Sequence, residues 1–276
     1  MTDRTKTFAL CADDYGLAPA IDRAIAELAA RARLSDVSCI VNAGAHAGAA
    51  PAGVRLGLHL NLTEGRPLAP ELARLWPELP PLPRLITLAH ARRLPLDALR
   101  AEMRAQFSAF EQGFGRGPAH VDGHQHVHHL PQIRQLLLEC LEHRPAVLVR
   151  HTGAVLGPGF AVKRRLIENT GGRGLGRRLV ALGRAQNRCL LGVYDFAETD
   201  YRGLMRGWLA SMPARGALVF CHPGEAGAGD AIATARVRER AYLASAEFEA
   251  DLREAGAGLL RESPVAVDGE GREHHA

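Results

Sequence analysis

The segment HVDGHQHVHH (120–129) gathers five histidines and an aspartate into ten consecutive positions. His120, Asp122, His124, His126 and His128 alternate, and alternate residues of an extended chain share one face. Polar groups repeated in this way do not make the buried face of a strand. A solvated loop accounts for His128 and His129; for the others a divalent cation is the simplest partner. Imidazole nitrogens and a carboxylate are its usual ligands, and a catalytic ion keeps positions open for water and substrate. A second candidate is the acid pair in FALCADDYGL (8–17), where an apolar run stops at Asp13 and Asp14. A cation beside them would take one carboxylate as ligand and leave the other ionised as a base. Taken singly, these residues have plainer accounts. An aspartate after a strand caps a helix, His59 in GLHLNL is a satisfied core histidine, and His222 before Pro223 is a turn residue.

The elements that must position them are short apolar runs separated by helical stretches. Strands are expected at 6–12, 36–42, 54–61, 117–122, 146–151, 188–194 and 216–221, with a short apolar run near 257–260. Helices are expected at 19–33, 95–113, 131–143 and 234–255, the first opened by Pro19. Residues 66–95, rich in Pro and Leu, read as a long excursion between elements. Buried strands alternating with helices imply parallel βα units. About seven strands suit a barrel or an incomplete barrel; a doubly wound open sheet is the alternative, though no GxGxxG follows the first strand. The runs end in residues a core would reject: Asp13 and Asp14, Asn42, His59 and Asn61, Asp122 and His124, Arg150 and His151, Tyr194 and Asp195, His222. In a parallel barrel the strand C-termini open on one face, so these residues would converge.

Bulk properties exclude several classes. The 276 residues carry a net charge of +4, and aromatic residues make up 5% of the chain. That is too mild a charge for a dedicated nucleic-acid binder and too few rings for a stacking platform, so no nucleic-acid partner is expected. The five cysteines, Cys11, Cys39, Cys140, Cys189 and Cys221, form no CxxC pair and read as buried thiols of a reducing compartment. MTDRTKT has no signal-peptide core and no apolar run is long enough to span a bilayer, so the expected location is cytoplasmic. One domain over 1–263 and a flexible tail over 264–276 are expected, with no role for His274 and His275. The most basic stretch, 163–188, is read either as a solvated helical insertion or as a surface for anions such as a sugar phosphate or acidic lipid.

Four motifs, ADDYGL (12–17), GLHLNLTEGRPL (57–68), HVDGHQHVHHLPQI (120–133) and HPGE (222–225), together resemble the YdjC-like carbohydrate deacetylases, which include chitooligosaccharide and hopanoid-associated deacetylases. RVRERAYLAS (236–245) is similar to the family's closing helix through Arg236 and Glu239. Tyr15 stands where Phe is common, and Gln125 interrupts a histidine run. The resemblance implies a distorted TIM-like (β/α) barrel with one divalent metal, zinc or magnesium first, with manganese, cobalt and nickel also compatible. It implies that Asp14, His59 and His124 hold the metal, that Asp13 is the general base and that His222 is the general acid. Asn61, Asp122, Arg150 and Arg236 are candidates for substrate binding or for support of the ligands; Asp122 would orient a ligand histidine, and Arg150 would meet a site carboxylate or an anionic substrate group. The implied reaction removes an N-acetyl group from an amino sugar, whether chitooligosaccharide, phosphorylated or lipid-linked, with peripheral membrane contact in the last case. The other readings are a different metal-dependent barrel hydrolase, acting on amides or phosphoesters, and a sugar- or metal-binding relative without activity. A homodimer is the assembly expected from base rates and the resemblance.

Overall fold

A computed structural model describes residues 6–43, 50–227 and 229–260; the tail 264–276, with His274 and His275, lies outside the described residues. The strands are β1 (Lys6–Tyr15), β2 (Asp36–Cys39), β3 (Arg55–Leu60), β4 (His120–Gly123), β5 (Leu148–Val149), β6 (Cys189–Leu191), β7 (Ala217–Cys221) and β8 (Ala257–Leu259). They form one parallel sheet in the order β5-β4-β3-β2-β1-β7-β6, and β8 pairs the start of β1 from Lys6 to Phe8. Among the described residues every strand of this path except β2 is followed by a helix before the next strand, and these crossovers bury the outer face and explain the unbroken apolar runs. The sheet curls into a distorted α/β barrel. Between β5 and β6 its seam is held by single bridges, Val149 to Gln186 and Val155 to Leu190. Asn187 completes that seam: its Oδ1 accepts from His151 N at 2.6 Å, and its Nδ2 donates to the carbonyls of His151 and Cys189 at 3.0 and 2.9 Å. One side chain thus does the work of a missing stretch of ladder.

The helices are α1 (Pro19–Ala30), α2 (Pro70–Leu75), α3 (Leu82–His90), α4 (Leu96–Phe114), α5 (Ile133–Cys140), α6 (Ala161–Ile167), α7 (Arg173–Ala181), α8 (Tyr201–Ser211), α9 (Ala233–Ala244) and α10 (Ala246–Glu254). Several differ from expectation. The Pro- and Leu-rich excursion at 66–95 contains two helices, α2 and α3, each opened by a proline in its first turn, where the missing N–H is no loss. Helix α8 carries no apolar run long enough to stand out, but Asp200 caps it by accepting from Gly203 N at 2.8 Å. The continuous helix expected over 234–255 breaks at Ser245, whose Oγ accepts from Phe248 N and starts α10. The alternation read across 120–129 stops at Gly123, because residues 124–129 turn into a 3-10 helix with Gln125 and His126 at φ 51° and 61°.

The end of β1 departs from a regular pleat. Ala12 pairs Val37 but Tyr15 pairs Cys39, so one extra residue is inserted in β1. Asp14 takes it up with φ 71°, a left-handed conformation that Asp tolerates better than most residues. A flat strand would send Asp13 and Asp14 to opposite faces; the bulge lets both line the same cavity.

Close approach inside the barrel makes one glycine indispensable. A Cβ on Gly57 would lie 2.1 Å from His120 Nε2, and that ring is buried and bonded to Ser38 Oγ at 2.9 Å. Gly57→Ala is expected to destabilise the protein by about 1–3 kcal/mol, as overpacking does, measured as a lower midpoint in urea unfolding.

Candidate metal centre and its cavity

At the C-terminal mouth of the barrel lies a half-enclosed cavity of about 790 Å³. Its polar floor includes Asp13 and Asp14 from the β1 bulge, His59 from β3, His124 after β4, His222 after β7 and Arg236 from α9. The structure therefore brings six of the nine residues singled out from sequence into one cavity. Asp122 and Arg150 stand directly behind it. Asn61 does not line it: Asn61 is fully buried, its Oδ1 accepts from the Thr63 and Glu64 N–H groups, and its Nδ2 donates to Asn42 Oδ1 and Glu64 O. It shapes the loop that carries Glu64.

Asp14 Oδ1 lies 3.0 Å from His124 Nδ1 and 3.4 Å from His59 Nε2. One ligand atom from each of these three buried residues falls within 4.8 Å of the others. Asp13 with His59 and Asp122 meets the same distance criterion, but its carboxylates are committed elsewhere. Both oxygens of Asp13 accept from Arg150, at 2.6 and 2.7 Å. Asp122 bonds Ser38 Oγ, His59 Nδ1 and Arg150. Because Asp122 accepts from His59 Nδ1, it orients the ring so that Nε2 faces Asp14, the usual support for a metal-binding imidazole.

The electrostatics of the triad fit a cation. Burial pushes the Asp14 carboxyl up, but His124, His59 and Arg236 outweigh it and hold it well below the usual carboxylate range. Burial disfavours the charged form of His59, yet Asp122 and Asp13 lift it to about 10. His124 is likewise lifted to about 9 by Asp14 and Glu64 against burial. Three buried carboxylates and Glu64 thus face only two guanidiniums, Arg150 and Arg236, and the two imidazoles hold protons that make up the deficit. A divalent cation with neutral imidazoles satisfies the same deficit. The other histidines behave oppositely. Burial lowers His222 and His128 to about 4 each, and holds His126 and His129 well below the normal range. His128 donates to the Arg150 carbonyl at 3.0 Å and His129 bonds Thr152, so both brace the fold.

Residues 7–254 match the YdjC-like protein family. The chain belongs to that family. Among curated relatives it is 38% identical over 141 residues to the carbohydrate deacetylase of Mus musculus, covering 48% of this chain and 46% of that protein. It is 38% identical over 133 residues to the chitooligosaccharide deacetylase of Serratia marcescens, covering 46% of this chain and 52% of that protein. The matched region thus spans about half the length of these relatives. A solved structure from Enterococcus faecalis V583, of a candidate cellobiose-phosphate cleavage protein, superposes with a TM-score of 0.70 over 92% of this chain and 97% of that one, at 20% identity. That likeness speaks for the fold alone.

Three residues of this YdjC-like site have no role assigned from the sequence, although Glu239 is singled out with Arg236 in the closing helix. Glu64 lines the cavity with Oε1 3.1 Å from His124 Nε2; it sits inside the motif GLHLNLTEGRPL, so a signal existed. Glu239 accepts from His222 N and from the Tyr194 hydroxyl, both at 2.5 Å, and fixes the loop after β7. Burial raises its carboxyl to about 7. Lys163 reaches the cavity from the basic stretch, donating to Tyr194 O at 2.5 Å and lying 4.7 Å above the Phe196 ring.

Two predictions follow from these charges. Arg150→Met would leave Asp13 and Asp122 buried without their counter-charge and is expected to cost about 3–5 kcal/mol of stability at neutral pH, read by denaturant unfolding. In metal-free protein, His59 and His124 have folded values above their unfolded value of about 6.5. Their stabilisation is therefore complete below about pH 6.5 and declines until it is lost above about 9 to 10. Thermal melts of chelator-treated protein should show an alkaline loss of stability that saturating Zn²⁺ reduces.

Proposed function

We propose that this chain is a metal-dependent carbohydrate N-deacetylase that hydrolyses the acetamido group of an amino sugar. The observation that carries the reading is the buried Asp14–His59–His124 triad opening on a cavity in a chain whose family relatives are named carbohydrate deacetylases. Asp14, His59 and His124 would hold the ion. A divalent cation there, zinc or magnesium first by donor type, supplies Lewis acidity to the acetyl carbonyl and lowers the pKa of water.

The chain's own residues do the rest. Asp13 takes one proton from water as its oxygen bonds to the acetyl carbon; the Arg150 fork holds that carboxylate in a single orientation. Arg150 is thus a positioning residue. His222, across the cavity, gives a proton to the amine nitrogen as the C–N bond breaks, releasing acetate and free amino sugar. Burial keeps His222 neutral in the resting site, so it must be protonated before it donates; Asp13 and Asp14 favour that protonated form. Phe196 and Phe220 flank its ring at 5.3 and 5.4 Å and restrict its motion and its access to water. Apolar walls from Leu17, Ile21, Leu82 and Ile232 give the cavity room for the body of a substrate beyond the acetamido group. The candidates are chitooligosaccharide and phosphorylated or lipid-linked N-acetylglucosamine.

The test is acetate release. Metal-stripped protein is reloaded with Zn²⁺, Mg²⁺, Mn²⁺, Co²⁺ or Ni²⁺ and offered each of these substrates. Activity with at least one pair is expected, and none with any pair sinks the reading. Asp13→Asn and His222→Ala should each lower kcat by about 10²–10⁴-fold while metal content, measured by atomic absorption, is unchanged. Asp14→Ala should lose both; metal loss in Asp13→Asn instead would reverse the two aspartates.

A further inference from the structure

The crossover between β5 and β6 is unlike the rest of the surface. Among the described residues, eight large hydrophobic side chains are exposed, and five of them fall in one stretch: Leu156, Val162, Leu166, Val180 and Leu182. Val162 is 84% exposed and Val180 69%. Helix α6 has no buried residue at all. The same stretch is the most cationic. Residues 163–188 carry eight Lys or Arg against Glu168 alone, a net +7, whereas the whole chain is +4, so the remainder is −3. Glu168 is already paired with Arg173 at 2.7 Å. Arg165, Arg177, Arg178 and Arg188 make no side-chain hydrogen bond or ion pair among the described residues.

Helical spacing interleaves the two chemistries. On α6, Arg165 and Leu166 neighbour Val162 at i+3 and i+4. On α7, Arg173, Arg177 and Val180 follow one another at i, i+4 and i+7 and are all exposed. Arg177 and Arg178 press on Arg134, whose guanidinium is pushed below its normal range by burial and by those two charges; its Nε is buried without a partner. The cations here lack anions. Lys163, Leu166 and Ile167 of the same helix line the cavity, so the face borders the mouth of the site. A π-helical turn at Glu168–Gly172 joins α6 to α7, and its Gly171 sits so close to the His129 carbonyl that a Cβ would lie 2.1 Å from it. The segment is therefore pinned to the barrel rather than trailing from it.

We propose that the α6–α7 segment is a docking surface for an anionic lipid bilayer, seating the cavity mouth against the membrane. Exposed aliphatics among unpaired arginines suit the headgroup boundary, where the apolar residues enter and the cations meet lipid phosphates. A two-fold contact between copies through this face would oppose two +7 surfaces. A polyanion such as nucleic acid would leave the exposed valines and leucines in water.

The test is co-sedimentation of the full chain with vesicles, with no substrate present, so it is independent of the proposed chemistry. The protein is expected to partition onto equimolar phosphatidylcholine–phosphatidylglycerol vesicles, to bind pure phosphatidylcholine weakly, and to release as salt rises. Arg177→Gln and Arg178→Gln should each lower the partition coefficient about fivefold, and Val162→Asp with Val180→Asp should abolish it. All four positions are exposed and outside the cavity. No partition onto the mixed vesicles, or partition untouched by the Val→Asp pair, overturns the proposal. So does a solution dimer that Val162→Asp dissociates, because the face is then an interface between copies.

Discussion

The fork of Arg150 is the contact on which the site depends. Its guanidinium is fully buried and binds two carboxylates that arrive from different strands, Asp13 on β1 and Asp122 on β4. A buried arginine loses most of its hydration, and only well-directed charge-assisted hydrogen bonds offset that loss. The arrangement has consequences along a chain of contacts. Asp122, held by Arg150 and by Ser38, accepts from His59 Nδ1 at 2.6 Å. His59 then has its other nitrogen turned to Asp14, and Asp14 is steadied on its far oxygen by Arg236 at 2.8 Å. Ser38 also meets His120, so the polar network runs from the barrel interior up to the mouth. Each carboxylate of the network meets a guanidinium or an imidazole, while Arg150 Nε, His120 Nδ1 and Arg236 Nη1 are buried without a hydrogen-bond partner; such a network stands or falls together.

The histidines show how environment rather than residue type sets a role. His59 and His124 lie among carboxylates and are pushed toward the charged form; His126, His128, His129 and His222 lie against apolar walls, arginines or one another and are pushed toward the neutral one. His124 and His126 differ although they share one turn, because Asp14 and Glu64 face the first while burial, His129 and Arg150 act on the second.

Much of this was legible in the chain. Apolar runs ending in Asp13, His59, Arg150 and His222 mark the mouth of a barrel, because strand polarity fixes which end of each run faces the chemistry. The alternation that drew attention to HVDGHQHVHH was sound for His120 and Asp122 and then ended, since two left-handed residues, Gln125 and His126, convert strand into turn. No local propensity announces that turn; Gly123 permits it by letting the His128 backbone come within 2.8 Å of where a Cβ would stand. The bulge at Asp14 was also hidden, because an insertion in a ladder is a property of two strands together. Asn61, expected either to bind substrate or to support the ligands, holds the loop that carries Glu64, a contact that its place after β3 could not specify. Helices α2 and α3 escaped notice because each buries only one or two apolar residues, too few to set a period.

β1 lies inside the sheet, flanked by β2 on one edge and β7 on the other, and its start is paired by β8. It is made before its partners: two of the three, and the arginine that steadies Asp14, come from Ala217 onward, and 222 residues separate Asp14 from Arg236. Such distant closures make folding slow and leave an apolar strand with an unsatisfied edge while synthesis continues. The nascent polypeptide therefore carries its acid pair in water until Arg150, 137 residues on, can meet Asp13, and the β1 edge that β7 covers stays open to mispairing for longer still.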